Sequence, residues 1–473
     1  MSPAITRHDK RLRHLPVALD RATMKPILQA LLFGSDSSAQ IRVCQVERVR
    51  YKPGNNCLIC YRLEIEDRAV QVRTEQRLTA RLYEAGGSHS RFARAQESLA
   101  NSSLTQPLHP ALAPVYHLPA LDTVVWVFPH DRKLAGLPQI IDPGHLHEVQ
   151  LPRLIEEHLG GEWRLGAASQ SVVHYNPEHT CMIRVQLKAQ HQTTGESQSL
   201  VLYGKTYADD EGVETYRVMS ELWESAGGQP GVLRTAEPLG YVPELKLLWQ
   251  RGCPGRTLLT LGINSPEFPV WLERGAAAVA AFHQTQIACQ RSGSVDDWVE
   301  KLKDMRAWLP AVRESCRPAV ETAVDQLLAQ RSQISEQPMA TLHGDLHVQN
   351  FLCDGEQVAL IDLDNVYRGL PWQDVGSLVA GLLHSGLALE MSARRASELA
   401  AVFCDAYQQH VPWRIAPQAL NWFIAAALIH ERAFRCVTRL KDGRHDLVDK
   451  LVALAAQLSA GQAYEEAVPA ATA

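Results

Sequence analysis

Two periods of apolar residues run along this chain, and the change from one to the other falls near residue 268. Upstream, short segments alternate apolar and polar positions as half-buried strands do. Downstream, apolar positions recur three and four apart, as on one face of a helix. The upstream part predicts the same series twice. A helix (26–32; 152–159) is followed by a strand ending in Tyr-x-Pro, two further strands, a second helix (about 90–99; 212–224) and two closing strands, the last at 123–128 or 245–250. The downstream part predicts helices over 270–287, 296–309, 318–334, 375–389, 393–409, 417–440 and 446–458, with Pro318 suited to a first turn. Residues 465–473 read as a frayed tail.

The recurrence reaches individual residues. Tyr51-Lys52-Pro53-Gly54-Asn55-Asn56-Cys57-Leu58-Ile59 returns 124 positions later as Tyr175-Asn176-Pro177-Glu178-His179-Thr180-Cys181-Met182-Ile183. Ala80-Arg81-Leu82-Tyr83 returns at the same spacing as Gly204-Lys205-Thr206-Tyr207. Val125-Trp126 ahead of Arg132-Lys133-Leu134 returns, 123 positions on, as Leu248-Trp249 ahead of Arg256-Thr257-Leu258. Matches in order at nearly one spacing indicate an internal repeat. The expected organisation is an α+β copy over 1–145, a second copy over 146–251 and a mainly helical domain over 252–473.

Candidate chemistry concentrates in 340–376. His343-Gly344-Asp345 is followed by Asn350, an apolar run, the turn pair Asp354-Gly355, and a second apolar run ending on Asp362. Asp-Gly between short apolar runs is a strong hairpin pattern, and a hairpin brings Asn350 and Asp362 together, with Asp345 on the loop before them. Hard oxygen ligands of this kind suit Mg2+ shared with substrate phosphates, and the remaining aspartate can accept a proton from an attacking hydroxyl. The pattern points to phosphoryl transfer. Its rivals are a surface hairpin with polar ends and a metal hydrolase using His343, Asp345 and His347, which lacks the helical His pair that chemistry favours.

The stretch HGDLHxxN, followed by IDxD and a further aspartate at a helix start, resembles the aminoglycoside phosphotransferase and choline kinase-like group. These are small-molecule kinases with a protein-kinase-like bilobal fold. The resemblance implies Asp345 as catalytic base, Asn350 and Asp362 as Mg2+ ligands, and His343, His347 and Asp374 as supports of the catalytic loop. Ile361-Asp362-Leu363-Asp364 in place of DFG argues against a protein kinase. The second copy then becomes the working small lobe. Lys205 on its third strand would meet the phosphates of ATP or GTP, braced by Glu214 or Glu221, and the hinge 249–252 would bond the adenine through Gln250 and Gly252. The first copy has Arg81 where the second has Lys205, and no HGD segment follows it, so it is expected to be non-catalytic, serving as a cap, a wall of the substrate site or a homodimer surface. Neither copy carries GxGxxG, which leaves open what holds the phosphates. The alternative is a nucleotide-binding regulatory or scaffold protein without turnover.

Composition narrows the field further. Hydrophobic residues at 46% and charged ones at 21%, with a net charge of -5, describe a globular protein with no general affinity for nucleic acid or membrane surfaces. The start has basic residues but no apolar core behind them, and the expectation is a cytoplasmic protein. Ten scattered cysteines, with Cys57 and Cys60 inside a strand, read as reduced core thiols. Asp296, Asp297, Glu300 and Asp304 could receive a cationic acceptor or simply form a solvated helix face. The acceptor is otherwise a small hydroxylated molecule of unknown identity.

Overall fold

The alternating half of the chain forms two five-stranded sheets. In the first, β1 (Ala39–Lys52), β2 (Asn56–Asp67), β3 (Val72–Leu82), β4 (Val115–Leu118) and β5 (Thr123–Val127) lie in the order β1-β2-β3-β5-β4, antiparallel throughout. In the second, β6 (Trp163–Asn176), β7 (Thr180–His191), β8 (Ser197–Tyr207), β9 (Pro238–Val242) and β10 (Leu247–Arg251) repeat that order, β6-β7-β8-β10-β9. A helix follows the third strand of each sheet, Ser88–Ala100 and Glu211–Ser225. The computed structural model describes residues 9–464 except 35–36, 70, 101–108, 161, 227–232, 389 and 441–443, so the 465–473 tail lies outside the described residues.

The likeness extends to backbone detail. Each sheet opens with a tight turn in the same register, Lys52 facing Asn56 and Asn176 facing Thr180. Each closes through one turn of 3-10 helix, Pro119–Leu121 and Pro243–Leu245, followed by a left-handed residue, Asp122 or Lys246, both with φ 47°. The carbonyls of those residues accept from Tyr83 N at 3.0 Å and Tyr207 N at 3.1 Å. One core spans both sheets, joining Cys60 and Phe128 of the first to Tyr175, Ile183, Leu202 and Trp249 of the second. Burial of such apolar surface is the main stabilising term here.

Residues 1–212, 239–250 and 438–442 cluster as one compact unit, and 213–238, 251–437 and 443–473 as another. The second unit is mainly helical. Its long helices are Phe268–His283, Val295–Val312, Arg317–Gln330, Pro371–Leu387, Ala393–Gln409, Pro417–Ala427 and Leu447–Ser459. The helix expected over 417–440 is interrupted. Leu428–Ala433 is a π-helical turn, and Phe434–Thr438 resumes the α-helix. Among these helices lie two small sheets. One joins β11 (Arg256–Thr257), β13 (Phe351–Asp354) and β14 (Gln357–Leu360); the other pairs β12 (Ala340–Leu342) with β15 (Tyr367–Gly369). Among the described residues no helix is long and apolar enough to cross a membrane.

Candidate active site

The expected hairpin is present, and its register decides the site. Phe351 faces Leu360, Asp354 faces Gln357, and Gly355 takes φ 56° at the turn. Beyond the last strand pair Ile361 N donates to Asn350 O at 3.0 Å, so Ile361 faces the asparagine and Asp362 is the next residue along. Asp362 is left-handed, φ 66°, which turns the chain out of the strand at that residue. Asn350 is buried and its Nδ2 donates to Asp345 O at 3.0 Å, tying the amide to the loop ahead of it.

The loop itself is fixed by Asp374. Its Oδ2 accepts from His343 N at 2.6 Å and its Oδ1 from Gly344 N at 3.0 Å. His283 Nε2 lies 3.2 Å from the same carboxylate, and its Nδ1 is 2.8 Å from the Tyr407 hydroxyl. Asp374 stands in the first turn of the helix Pro371–Leu387 but is not its cap; that position is Leu370, and no side chain caps this end. His343 is fully buried, its Nε2 meeting Ile361 O at 2.9 Å. It therefore ties the loop to the end of β14. Gly344, with φ 80°, has no alternative, because a Cβ there would stand 2.2 Å from Asn365 O.

A partner of Asp345 comes from far along the chain. Arg435 NH2 donates to Asp345 Oδ1 at 3.0 Å, and His347 Nε2 lies 3.9 Å from the other oxygen. Burial alone would push the Asp345 carboxyl up, but Arg435, His347 and Arg432 hold it below its ordinary range. Burial dominates at His347, whose imidazole is pushed toward the neutral form. The π-helical turn brings these groups in: Glu431 accepts from Ser377 Oγ at 2.8 Å and buried Arg432 donates to Ser377 O at 2.7 Å. π-turns of this kind recur where a helix must redirect a side chain at a functional site. Nothing near 340–376 in the sequence announces Arg435.

The remaining expected residues are placed as follows. Lys205 is on β8, 9% exposed, with Nζ 5.6 Å from the Tyr207 ring centroid. The carboxylates of Glu214 and Glu221 are both taken by Arg217, at 2.7 and 2.8 Å, and both also accept from loop amides, Gln290 N and Ala288 N. Arg217 thereby draws the Glu214 carboxyl down. Gln250 is on β10, and Gly252 lines an open cavity of about 130 Å³ with Trp223, Arg234 and Glu237. Asp296 pairs with Arg331 at 2.6 Å, Asp297 completes a capping box with Ser294, and Glu300 pairs with Lys303 at 2.7 Å. Three of the four acids named there thus have partners in or beside the helix that begins at Val295. Cys57 and Cys60, three apart on β2, fall on opposite faces, and burial pushes the Cys60 thiol up to about 12.

Comparison with known proteins gives one family. Residues 205–417, which hold Lys205, the hairpin and Asp374, match the model of the phosphotransferase enzyme family. No curated protein sequence matches the chain. Among solved structures, aminoglycoside phosphotransferase APH(4)-Ia is similar at 17% identity, covering 66% of this chain and 98% of its own, with a TM-score of 0.43. An amicoumacin kinase solved with AMP-PNP, Ca2+ and amicoumacin is similar at 14% identity over 62% of this chain and 90% of its own, TM-score 0.44. A choline/ethanolamine kinase family protein of Mesorhizobium loti is similar at 15% identity over 66% and 94%, TM-score 0.41. Over residues 205–417, a little under half of its length, the chain is thus similar to the phosphotransferase enzyme family.

Proposed function

We propose that this protein transfers the terminal phosphate of ATP to a hydroxyl of a small molecule, with Asp345 as base. What supports the reading is that the hairpin opens beside the loop of Asp345: Asn350 Nδ2 donates to Asp345 O, Asp362 comes one residue after the partner of Asn350, and Asp374 holds the amides of the loop. A divalent cation fits this donor set. One carboxylate and one amide oxygen are hard ligands, few enough to leave positions for phosphate oxygens, as Mg2+ prefers. Asn350 spends its nitrogen on Asp345 O, so the oxygen is the end with ligand chemistry. Mg2+ held there would offset charge on the phosphates.

The acceptor hydroxyl gives its proton to Asp345 Oδ while its oxygen forms the new bond to phosphorus and ADP leaves. Arg435 keeps Asp345 ionised and fixes its rotamer, and Lys205 supplies a buried cation to the nucleotide phosphates. Catalysis by such a site is positioning and charge stabilisation. The two sheets, alike in order and in turn geometry, support reading the N-terminal domain as a second, non-catalytic copy of the small lobe, with Arg81 at the position of Lys205. The test is ATP-dependent phosphorylation across a panel of aminoglycosides, sugars and amino alcohols, with Mg2+ and with EDTA. Transfer that requires the metal and disappears in Asp345→Ala supports the reading; full transfer by folded Asp345→Ala would sink it.

A further inference from the structure

The two copies are held by one repeated hydrogen-bond set that the Tyr-x-Pro matches only hint at. In the first, Asp9 Oδ2 accepts from the Tyr51 hydroxyl at 2.7 Å and from Gly54 N at 2.9 Å, while Oδ1 accepts from Arg11 N and Leu12 N, both at 3.0 Å. In the second, Asp131 Oδ2 accepts from the Tyr175 hydroxyl at 2.7 Å and from Glu178 N at 2.9 Å, while Oδ1 accepts from Lys133 N at 2.7 Å and Leu134 N at 3.1 Å. The residues responsible read His8-Asp9-Lys10-Arg11-Leu12 and His130-Asp131-Arg132-Lys133-Leu134 in the sequence. Each first turn is therefore gripped by an aspartate from a segment ahead of its sheet, and for the second sheet that segment lies within the N-terminal domain.

The copies differ at one position. Gly54 has φ 65°, as suits a glycine; Glu178 has φ 60°, and is the non-glycine residue in its place. Its side chain is buried and meets arginines of the N-terminal domain. Arg132 grips it in two bonds of 2.7 Å, Arg81 pairs with Oε2, and Arg50 reaches the neighbouring Pro177 carbonyl. Burial would raise the Glu178 carboxyl, but Arg132, Arg81 and Arg50 hold it below its ordinary range. Arg81 occupies the strand position that Lys205 holds in the second copy, so the cation of the first copy is spent on a carboxylate from the second. The turn also keeps its amides to itself: Glu178 N goes to Asp131 and His179 N to Asn176 O at 3.0 Å.

We infer that the N-terminal domain is a positioning clamp for the turn 175–180. The turn's conformation, which glycines and bound phosphate fix in glycine-rich loops, is fixed here by Asp131, Arg81, Arg132 and Arg50. This rests on the phosphotransferase reading, in which that turn lies over the nucleotide phosphates. It assigns Glu178 and Asp131 as positioning residues, and gives the first copy a task that needs no chemistry of its own. Because the turn's amides are already used, its contribution to the nucleotide is shape and the side chain of His179.

The repeat supplies its own control. Asp9→Asn and Asp131→Asn break equivalent bonds in the two copies, so both lower the melting temperature, but the clamp predicts that only Asp131→Asn weakens binding of Mg·AMP-PNP, by about tenfold, the loss of one charge-assisted contact. Arg132→Gln, at a half-exposed position, serves if Asp131→Asn fails to fold; it should raise the nucleotide Kd and speed amide exchange in 174–180, with Arg132→Lys restoring part of each. Equal nucleotide affinity in wild type, Asp131→Asn and Arg132→Gln overturns the clamp and leaves the phosphotransferase reading standing. Absence of Mg·AMP-PNP binding by the wild type overturns both.

Discussion

Asp345 is half-buried with one carboxylate oxygen on Arg435, and in the proposed reaction that pair would set the acid side of the pH dependence. A base kept ionised below the ordinary carboxylate range leaves the acid limb of kcat/KM at low pH. Removing the cation in Arg435→Gln raises the Asp345 pKa, so the limb should move to higher pH; a limb that stays in place would separate Asp345 from the titration. Asp345→Asn should lower turnover by a factor of at least about 10² while retaining Mg·AMP-PNP binding, as measured by calorimetry. Asp374 acts through the loop. Asp374→Ala strands the His343 and Gly344 amides and should cost about 3 kcal/mol in urea titration, with loss of turnover. Asp345, Asn350, Asp362 and Asp374 were legible because they lie within thirty residues of one another around a turn that Asp354-Gly355 announces. Arg435 was not. It lies 90 residues from Asp345, and only the packing of helices brings it there.

Elements were legible where a single period persists. The helix 393–409 was read with the bounds the structure shows, its apolar face being unbroken. The stretch 417–440 is apolar at helical spacing as well, yet Leu428–Ala433 widens to a π-turn, because buried Arg432 and Glu431 must both reach Ser377. That choice depends on a neighbouring helix and leaves no trace in periodicity. The turn also buries His430 against Trp298, ring centroids 4.4 Å apart, and burial pushes its pKa down to about 4. His384, partly buried beside Arg444, is likewise pushed down to about 4. Both imidazoles are neutral when folded and bind protons more readily when unfolded. Their contribution is therefore complete above about pH 6.5 and falls as pH drops toward 4, by roughly 3 kcal/mol each at most. Urea midpoints at pH 7 and 4.5 should show this fall, and His430→Gln should reduce it. Gly344→Ala tests the loop more directly. With φ 80° and a carbonyl 2.2 Å from the added Cβ, it should lose activity and at least about 2 kcal/mol of stability.

Across the whole molecule the two sheets are joined by a core and by one buried carboxylate. Glu178 is held ionised by Arg132 and Arg81, so its contribution is present above its unfolded pKa of about 4.3 and lost as pH falls through its lower folded value. Glu178→Gln should therefore melt earlier at pH 7, by about 3 kcal/mol, and lose less than wild type between pH 5 and 3. Strand order, the Tyr-x-Pro turns and the hairpin that follows Asn350 were fixed by the chain alone, because each depends on residues close in sequence whose spacing sets which face they share. The union of two sheets around Glu178 and the pairing of Asp345 with Arg435 were decided by tertiary structure. Each joins a charge to a partner distant along the chain, and a sequence states a charge's sign without stating which opposite charge will share its loss of water.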